Sequence, residues 1–334
     1  MLAENDPAGT AIGFARAVNR LTPHRCRLIT WQRRYVCEFG DDLHLPDLPP
    51  GRWDEVATLL RDADVVHFHM LADERLQLGP WNVGELIAGK PAVVRHHHGH
   101  PLFRANLAHY QQRYANERAH DVVLVSTPDM LALFPPGRAV WQPNLVALDS
   151  PAFRPTTPSD WQARRGQPLR VQQSPTRRNI KSTDQLEALI QRLRDETGLP
   201  VVLDLTERES HAEVLRRRWL ADVVFDQMDF SFGVSSLEGL AQGRVVLCRL
   251  DAHNRGEIAR FAGCAERELP WLLVDDAAAL DATLRRLAAD VERSEVAAAG
   301  AASRAFMERY WPERRVIEPL VAAWQRAVRQ EPAP

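Results

Sequence analysis

Two successive series of short apolar runs, separated by helix-length amphipathic segments, constrain this chain more than any single motif in it. The first series falls at 26–30, 64–68, 92–96, 122–126 and 139–142, and the second at 169–172, 200–204, 222–225, 245–249 and 271–274. Such an alternation reads as β-α-β units around parallel sheets, because parallel strands are buried on both faces and need a crossover to return. Helices are expected near 184–196, 210–218, 234–242 and 277–290. The alanine-rich 297–302 lies in a helical C-terminal segment that Trp311-Pro312 breaks, since proline ends or kinks a helix. A chain of 334 residues exceeds what one hydrophobic core usually supports, so each series is expected to build its own. Residues 147–167 carry Pro151, Pro155 and Pro158, several hydroxyl side chains and little periodicity, which reads as a linker. The expected division is a first domain at 1–147, a linker at 148–167, a second domain at 168–310 and a final helix at 311–330. Strand one is cramped, because only Met1 to Glu4 and Asn5 precede the Asp6-Pro7-Ala8-Gly9-Thr10 turn.

Charge narrows the partners. A formal net charge of −2 argues against a broad nucleic-acid surface, so any anion site must be local. Basic side chains are nearly all arginine, and Lys90 and Lys181 are the lysines, which draws attention to where Lys181 sits. Cys26, Cys37, Cys248 and Cys264 form no CxxC pair, so neither a zinc ribbon nor a disulfide framework is indicated and a reducing cytoplasm fits. No apolar run approaches the roughly 20 residues that span a bilayer, and no charged-then-apolar leader opens the chain. Peripheral membrane contact is the most that is expected.

Four segments carry candidate chemistry. Asp6-Pro7-Ala8-Gly9-Thr10-Ala11-Ile12-Gly13 joins a strand to a helix, either as a loop whose amides approach an anion or as a plain capped turn. Val65-Val66-His67-Phe68-His69 and Val93-Val94-Arg95-His96-His97-His98-Gly99-His100 put histidines at the carboxyl ends of two parallel strands, the edge where open α/β sheets bind ligands. Alternation places His96 and His98, with His100 next in the series, on one face and pairs His67 with His69. Substrate or donor contact, packing with hydrogen bonding, and metal binding all remain open for them. Gln173 to Asp184 includes Arg177, Arg178 and Lys181 just before a helix, which suits a diphosphate held bidentately by arginine and as a point charge by lysine, or else a solvated basic loop. Phe225 to Val246 runs from a strand through Gly233 into a short helix whose first amides, at Val234 to Ser236, face outward, with Glu238 one turn inside where a carboxylate accepts from both hydroxyls of a ribose.

In order and spacing these segments resemble glycosyltransferase family 4, a retaining family on the GT-B fold. The resemblance rests on the glycine loop at 7–13, Val66-His67-Phe68-His69, His98-Gly99, Ser126-Thr127-Pro128, Pro143-Asn144, Arg177 to Lys181, and Phe232-Gly233 through Glu238 to Gly243. It implies an α/β protein of two Rossmann-like domains facing across a cleft, with the C-terminal helix crossing back to the first. The donor, a nucleotide diphosphate sugar acting as co-substrate, would lie mainly on the second domain and the acceptor on the first. By position, Arg177 or Arg178 and Lys181 would hold the diphosphate, Glu238 the ribose, and the amides of Gly233, Val234 and Ser235 the transferred sugar or phosphate. His98 would sit near that sugar and Gly9 would face the phosphates. His98, Arg177 and Lys181 are the expected catalytic side chains, and no metal or resident cofactor is expected.

Two positions depart from the family pattern. Its E-x7-E element has Phe230 in place of the first glutamate, with Asp229 next in line, and Lys181 is followed by Ser182 where glycine is usual. The expected activity is sugar transfer with retention and without metal to a carbohydrate, lipid-linked or small-molecule hydroxyl. A catalytically silent binder of nucleotide sugar or glycan, and a GT-B epimerase or phosphorylase, are the alternatives.

Overall fold

A computed structural model describes the whole chain except residues 34–38, 41, 91, 114–120, 230 and 332–334. Cys37 and Phe230 therefore lie outside the described residues. Two compact units emerge, Met1–Leu145 together with Arg314–Pro334, and Val146–Glu313.

The first unit is organised by a parallel sheet. Its strands are β1 (Leu2–Ala3), β2 (Ile29–Thr30), β3 (Leu43–His44), β4 (His67–His69), β7 (Val94–His97), β8 (Val122–Val125) and β9 (Ala139–Trp141), with the hairpin strands β5 (Gln77–Leu78) and β6 (Trp81–Asn82) set apart. The order is β3-β2-β1-β4-β7-β8-β9 among the described residues. The two residues of β1 suffice to pair with β2 on one side and β4 on the other. β8 is buried along its whole length, as a strand covered on both faces must be. Helix Glu313–Arg329 packs here too: the Gln142 side-chain amide donates to the Val316 carbonyl at 2.8 Å.

In the second unit the strands are β10 (Leu169–Gln173), β11 (Val201–Leu205), β12 (Val223–Phe225), β13 (Val245–Cys248) and β14 (Leu272–Leu273), in the order β11-β10-β12-β13-β14, all parallel. Helices Thr183–Thr197, Ala277–Ala289 and Ser294–Tyr310 bring Leu186, Leu189, Leu193, Leu284, Leu287 and Val296 onto this sheet. The expected break at Trp311-Pro312 separates helix Ser294–Tyr310 from Glu313–Arg329.

Three features differ from the sequence expectations. β3 and the β5–β6 hairpin are two residues per strand, too short to leave a periodic signal. Helix Ala252–Ala262 has a weak apolar stripe and is marked mainly by its ends, where the Asp251 carboxylate accepts from the Asn254 amide at 2.8 Å and Gly263 closes it in the left-handed region. The segment 148–167 belongs to the second unit instead of running loose over it. It carries helix Pro158–Gln162, held by a Thr157–Asp160 capping box, and Trp161 is buried in the second core with the Arg244 guanidinium 4.8 Å from its ring. No described helix is long and apolar enough to cross a membrane.

Trp161→Ala is expected to lower the unfolding free energy by about 3–5 kcal/mol, the range for emptying a buried aromatic site. Urea titration measures it; a change below about 0.5 kcal/mol would mark 148–167 as a free linker after all.

Candidate functional site

In an open parallel sheet the loops leaving the carboxyl ends of two adjacent strands diverge where the strand order reverses, and the gap between them accepts a ligand. In the second unit β10 lies between β11 and β12, so the reversal separates the loop after β10 from the loop after β12. The first of these holds Arg177, Arg178 and Lys181, and the second runs from Asp226 to Gly233. The Gln173 side-chain amide ties the two together, donating to the Lys181 carbonyl at 2.7 Å and to the Asp226 carbonyl at 3.4 Å.

Asp226 organises this edge. It is 1% exposed, and its carboxylate accepts from Lys181 Nζ at 2.5 Å, the Gly233 amide at 2.5 Å and Ser236 Oγ at 2.8 Å. Burial by itself would raise its pKa; the Lys181 ammonium and these donors overrule it and hold the group below its ordinary value. The carboxylate therefore caps helix Val234–Ala241 and anchors the lysine beside that helix's N-terminus. A side chain on Gly233 would meet Lys181 Nζ at 3.1 Å, so the glycine leaves room for the ammonium.

The expected site residues divide. Lys181 Nζ lies close to Gly233, at the start of helix Val234–Ala241, and the Val234 and Ser235 amides have no acceptor among the described residues. The Gly233 amide, expected to be free, belongs to Asp226. Arg177 is exposed and makes no ion pair with the described residues. Arg178 pairs with Asp184 at 2.8 Å, with Glu207 at 3.1 Å and with Glu187, so its charge is already neutralised, and Arg177 is the better placed of the two for an anion.

Glu238 is buried, with Oε1 2.6 Å from His211 Nε2 and Oε2 paired with Arg218. Burial raises its pKa, and Arg218 with His211 more than reverses that, leaving a carboxylate. Arg218, itself 1% exposed, donates onward to Ser174 Oγ at 3.0 Å. Sequence reading missed Asp226, Arg218 and His211. Asp226 had a signal, its place just past a strand at the sheet reversal; Arg218 and His211 come from a helix whose facing is decided by packing.

The two departures from the family pattern take physical form at this edge. Ser182 adopts φ 51°, the left-handed region where glycine carries no penalty, which accounts for a glycine at that position elsewhere. Its hydroxyl donates to Asp229 Oδ2 at 3.1 Å and lies 3.4 Å from the Met228 amide, offsetting the strain. Asp229 is thereby held on Ser182. Phe230 lies outside the described residues.

In the first unit β1 lies between β2 and β4 at the reversal. Gly9 has φ 64° and caps helix Thr10–Leu21, while the Asp6 carboxylate accepts the Ile12 amide at 2.8 Å and a Cβ on Gly9 would strike the Phe39 ring at 2.3 Å. The loop is thus a capped turn with an aromatic ring against its glycine. β4 and β7 are in register at His69 and His96. His98 Nε2 is 2.9 Å from His69 Nδ1 and His98 Nδ1 is 2.6 Å from Ser126 Oγ, so both ring nitrogens of His98 are engaged by the protein instead of being presented to a sugar. Burial lowers His98 to about 3 and keeps His67, His69 and His96 well below the usual range, so all four rings are neutral. Among the described residues, His67, His69 and His96 are the group close enough to share a metal ion.

No protein-family model matches this sequence, and no curated protein matches it. Solved structures do match its fold along nearly its whole length. HepE of Anabaena in complex with UDP and glucose superposes with a TM-score of 0.64 at 13% identity, over 97% of this chain and 99% of that one. A glycosyltransferase from Rickettsia africae gives 0.59 at 12% identity over 98% of each chain. Sucrose-phosphate synthase from Thermosynechococcus elongatus gives 0.58 at 15% identity over 97% and 98%. The chain has the GT-B fold of these proteins.

Two measurements test the Asp226 and Ser182 geometry. Lys181 and the Gly233 and Ser236 donors hold Asp226 below its ordinary 3.8, so its contribution is fully present above that value and is lost progressively as pH falls below it toward the depressed native pKa. The stability gap between wild type and Asp226→Asn, read from urea midpoints, should narrow from about pH 6 to about pH 3. Ser182→Ala keeps the strain and loses the hydroxyl, and should cost about 1–2 kcal/mol, whereas Ser182→Gly trades both and should stay within about 1 kcal/mol of wild type. Equal losses in the two variants would refute the strain argument.

Proposed function

We propose that this chain transfers a sugar from a nucleotide diphosphate sugar to an acceptor hydroxyl. The observation that carries the reading is the set gathered at one sheet reversal: the Lys181 ammonium, the exposed Arg177, the free amides of Val234 and Ser235, and the buried carboxylate of Glu238. Two cations and a helix N-terminus match a diphosphate. A carboxylate has about four acceptor positions; Arg218 and His211 take two of Glu238's, and the others would receive ribose hydroxyls. HepE, whose fold this chain shares, was solved with UDP and glucose and with UDP-glucose, which supports a uridine nucleotide as the first donor to try.

In this mechanism the Lys181 ammonium keeps Asp226 as one partner and donates another N–H to a phosphate oxygen as the donor binds, so the cation anchored in the free protein neutralises the leaving group in the complex. Preorganised cations and amides aimed at the departing diphosphate stabilise the developing negative charge without a divalent ion. The acceptor hydroxyl attacks on the face the leaving group vacates, and a phosphate oxygen takes its proton. Retention of configuration follows, and no protein nucleophile is required. Asp226 is the positioning residue for Lys181. His98 is assigned no proton transfer; reaching a sugar hydroxyl would require it to release Ser126.

A second reading, binding of the nucleotide sugar without turnover, is favoured by Phe230 standing where the family pattern has a glutamate. Thermal shift with UDP and UDP-sugars, followed by product analysis with candidate acceptors, separates them. Transfer is expected to survive chelator. Lys181→Ala and Glu238→Ala should each weaken UDP binding by at least about tenfold, or roughly 1.4 kcal/mol, and Arg178→Ala should leave it nearly unchanged. No shift with any nucleotide diphosphate would sink both readings, and binding with no turnover would select the second.

A further inference from the structure

We propose that His67, His69 and His96 bind a divalent transition-metal ion through their imidazole nitrogens, with zinc the cation this set suits. The three side chains are buried, and one ring nitrogen from each lies within 4.8 Å of those of the other two. His67 Nε2, His69 Nε2 and His96 Nδ1 are closed to solvent and have no hydrogen-bond partner among the described residues. Native structures rarely leave buried polar atoms unpartnered. Here three such atoms belong to rings packed against one another on two adjacent strands, and ligation of one cation by the three residues would give each of them a partner. Neutral imidazole is the ligating form and suits zinc, copper and nickel.

The surrounding hydrogen bonds fit ligation at these nitrogens. With a metal on His69 Nε2, the ring proton sits on Nδ1 and is donated to His98 Nε2, 2.9 Å away. His98 then carries its proton on Nδ1 and donates to Ser126 Oγ at 2.6 Å. A metal on His96 Nδ1 leaves the proton on Nε2, which faces the same Ser126 Oγ at 3.3 Å. Ser126 in turn donates to the His97 carbonyl at 3.3 Å. Outer partners of this kind fix the tautomer and orientation of metal-bound histidines.

Binding requires local movement. Nitrogens around a tetrahedral zinc with bonds of about 2.0–2.1 Å lie roughly 3.3 Å apart, so the cluster must contract. The His67 and His69 rings are stacked with centroids 4.4 Å apart and planes 23° apart, and His67 is stacked on His96 at 17°, so their in-plane lone pairs run side by side. The terminal torsion of histidine is broad, and turning the rings about it aims the nitrogens toward one point. One hydrogen bond must break. The Trp324 indole donates to His67 Nδ1 at 3.2 Å, which leaves the ring proton on Nε2, whereas a metal on Nε2 requires the proton on Nδ1. Metal binding and the Trp324 bond therefore exclude each other, and Trp324→Phe removes the competitor.

The test uses the full chain, stripped with chelator, titrated with zinc or cobalt(II), and desalted before elemental analysis. Expected are stoichiometric retained zinc, intense visible absorption from tetrahedral cobalt, and a raised melting point. Trp324→Phe should bind zinc several-fold more tightly. His69→Gln, and His96→Asn as the alternative should the first not fold, should lose both the retained metal and the cobalt spectrum while keeping the far-UV dichroism of wild type. Wild type that retains no zinc and gives no tetrahedral cobalt spectrum overturns the proposal and leaves water as the occupant. Equal zinc in wild type and a folded variant overturns it too, by assigning the metal to other histidines. The cluster lies in the first unit and the proposed donor set in the second, so loss of UDP binding in wild type would refute the transfer reading without touching this one.

Discussion

The buried carboxylate of Asp226 is the interaction on which the second unit's ligand edge depends. Its Oδ2 caps helix Val234–Ala241 by accepting from the Gly233 amide and Ser236 Oγ, and its Oδ1 holds the Lys181 ammonium. Removing either partner alone would strand a charge away from water, which is why such pairs are far more costly to break than to build around. The ion pair also fixes where the lysine waits. Its ammonium is held close to Gly233, at the start of the helix whose Val234 and Ser235 amides have no acceptor among the described residues.

Glu238 is held in an analogous way from another direction. Arg218 reaches it from helix His211–Leu220 and continues to Ser174 just past β10, so the carboxylate links the helix after β12 to the loop after β10. Two buried charged networks thus brace the two loops that flank the sheet reversal. Arg178, despite its place in the basic segment, is spent on Asp184, Glu187 and Glu207 and contributes to the loop's shape. The first unit is built differently. Its corresponding edge is lined by neutral imidazoles stacked on one another, with Ser126 Oγ against His98 and the Trp324 indole donating to His67. The chemistry these imidazoles offer is that of lone pairs.

Much of this was legible in the chain. The β-α-β alternation located ten strands to within a few residues, because a parallel strand buried on both faces must be a short continuous apolar run. The positions of Lys181, Val234, Ser235 and Glu238 relative to those strands followed from the rule that ligands meet the carboxyl edge. β3 and the β5–β6 hairpin left no periodicity to read, and the helix at Ala252–Ala262 announced itself only through its caps. The segment 148–167 looked like a linker because proline and hydroxyl residues dominate it, and a single buried Trp161 outweighs that composition.

The sequence by itself determined the architecture and which residue types stand at each edge, since hydrophobic period and residue type are local properties. Tertiary structure alone decided which cation is free and which is neutralised, that the Gly233 amide is taken while those of Val234 and Ser235 remain, and that His98 has both nitrogens engaged. These are questions of pairing between groups that the chain separates by as few as six residues, as Arg178 and Asp184, or as many as 29, as His69 and His98. Coulombic and hydrogen-bond energies depend on distance in space and on burial, and neither is written in the order of the residues.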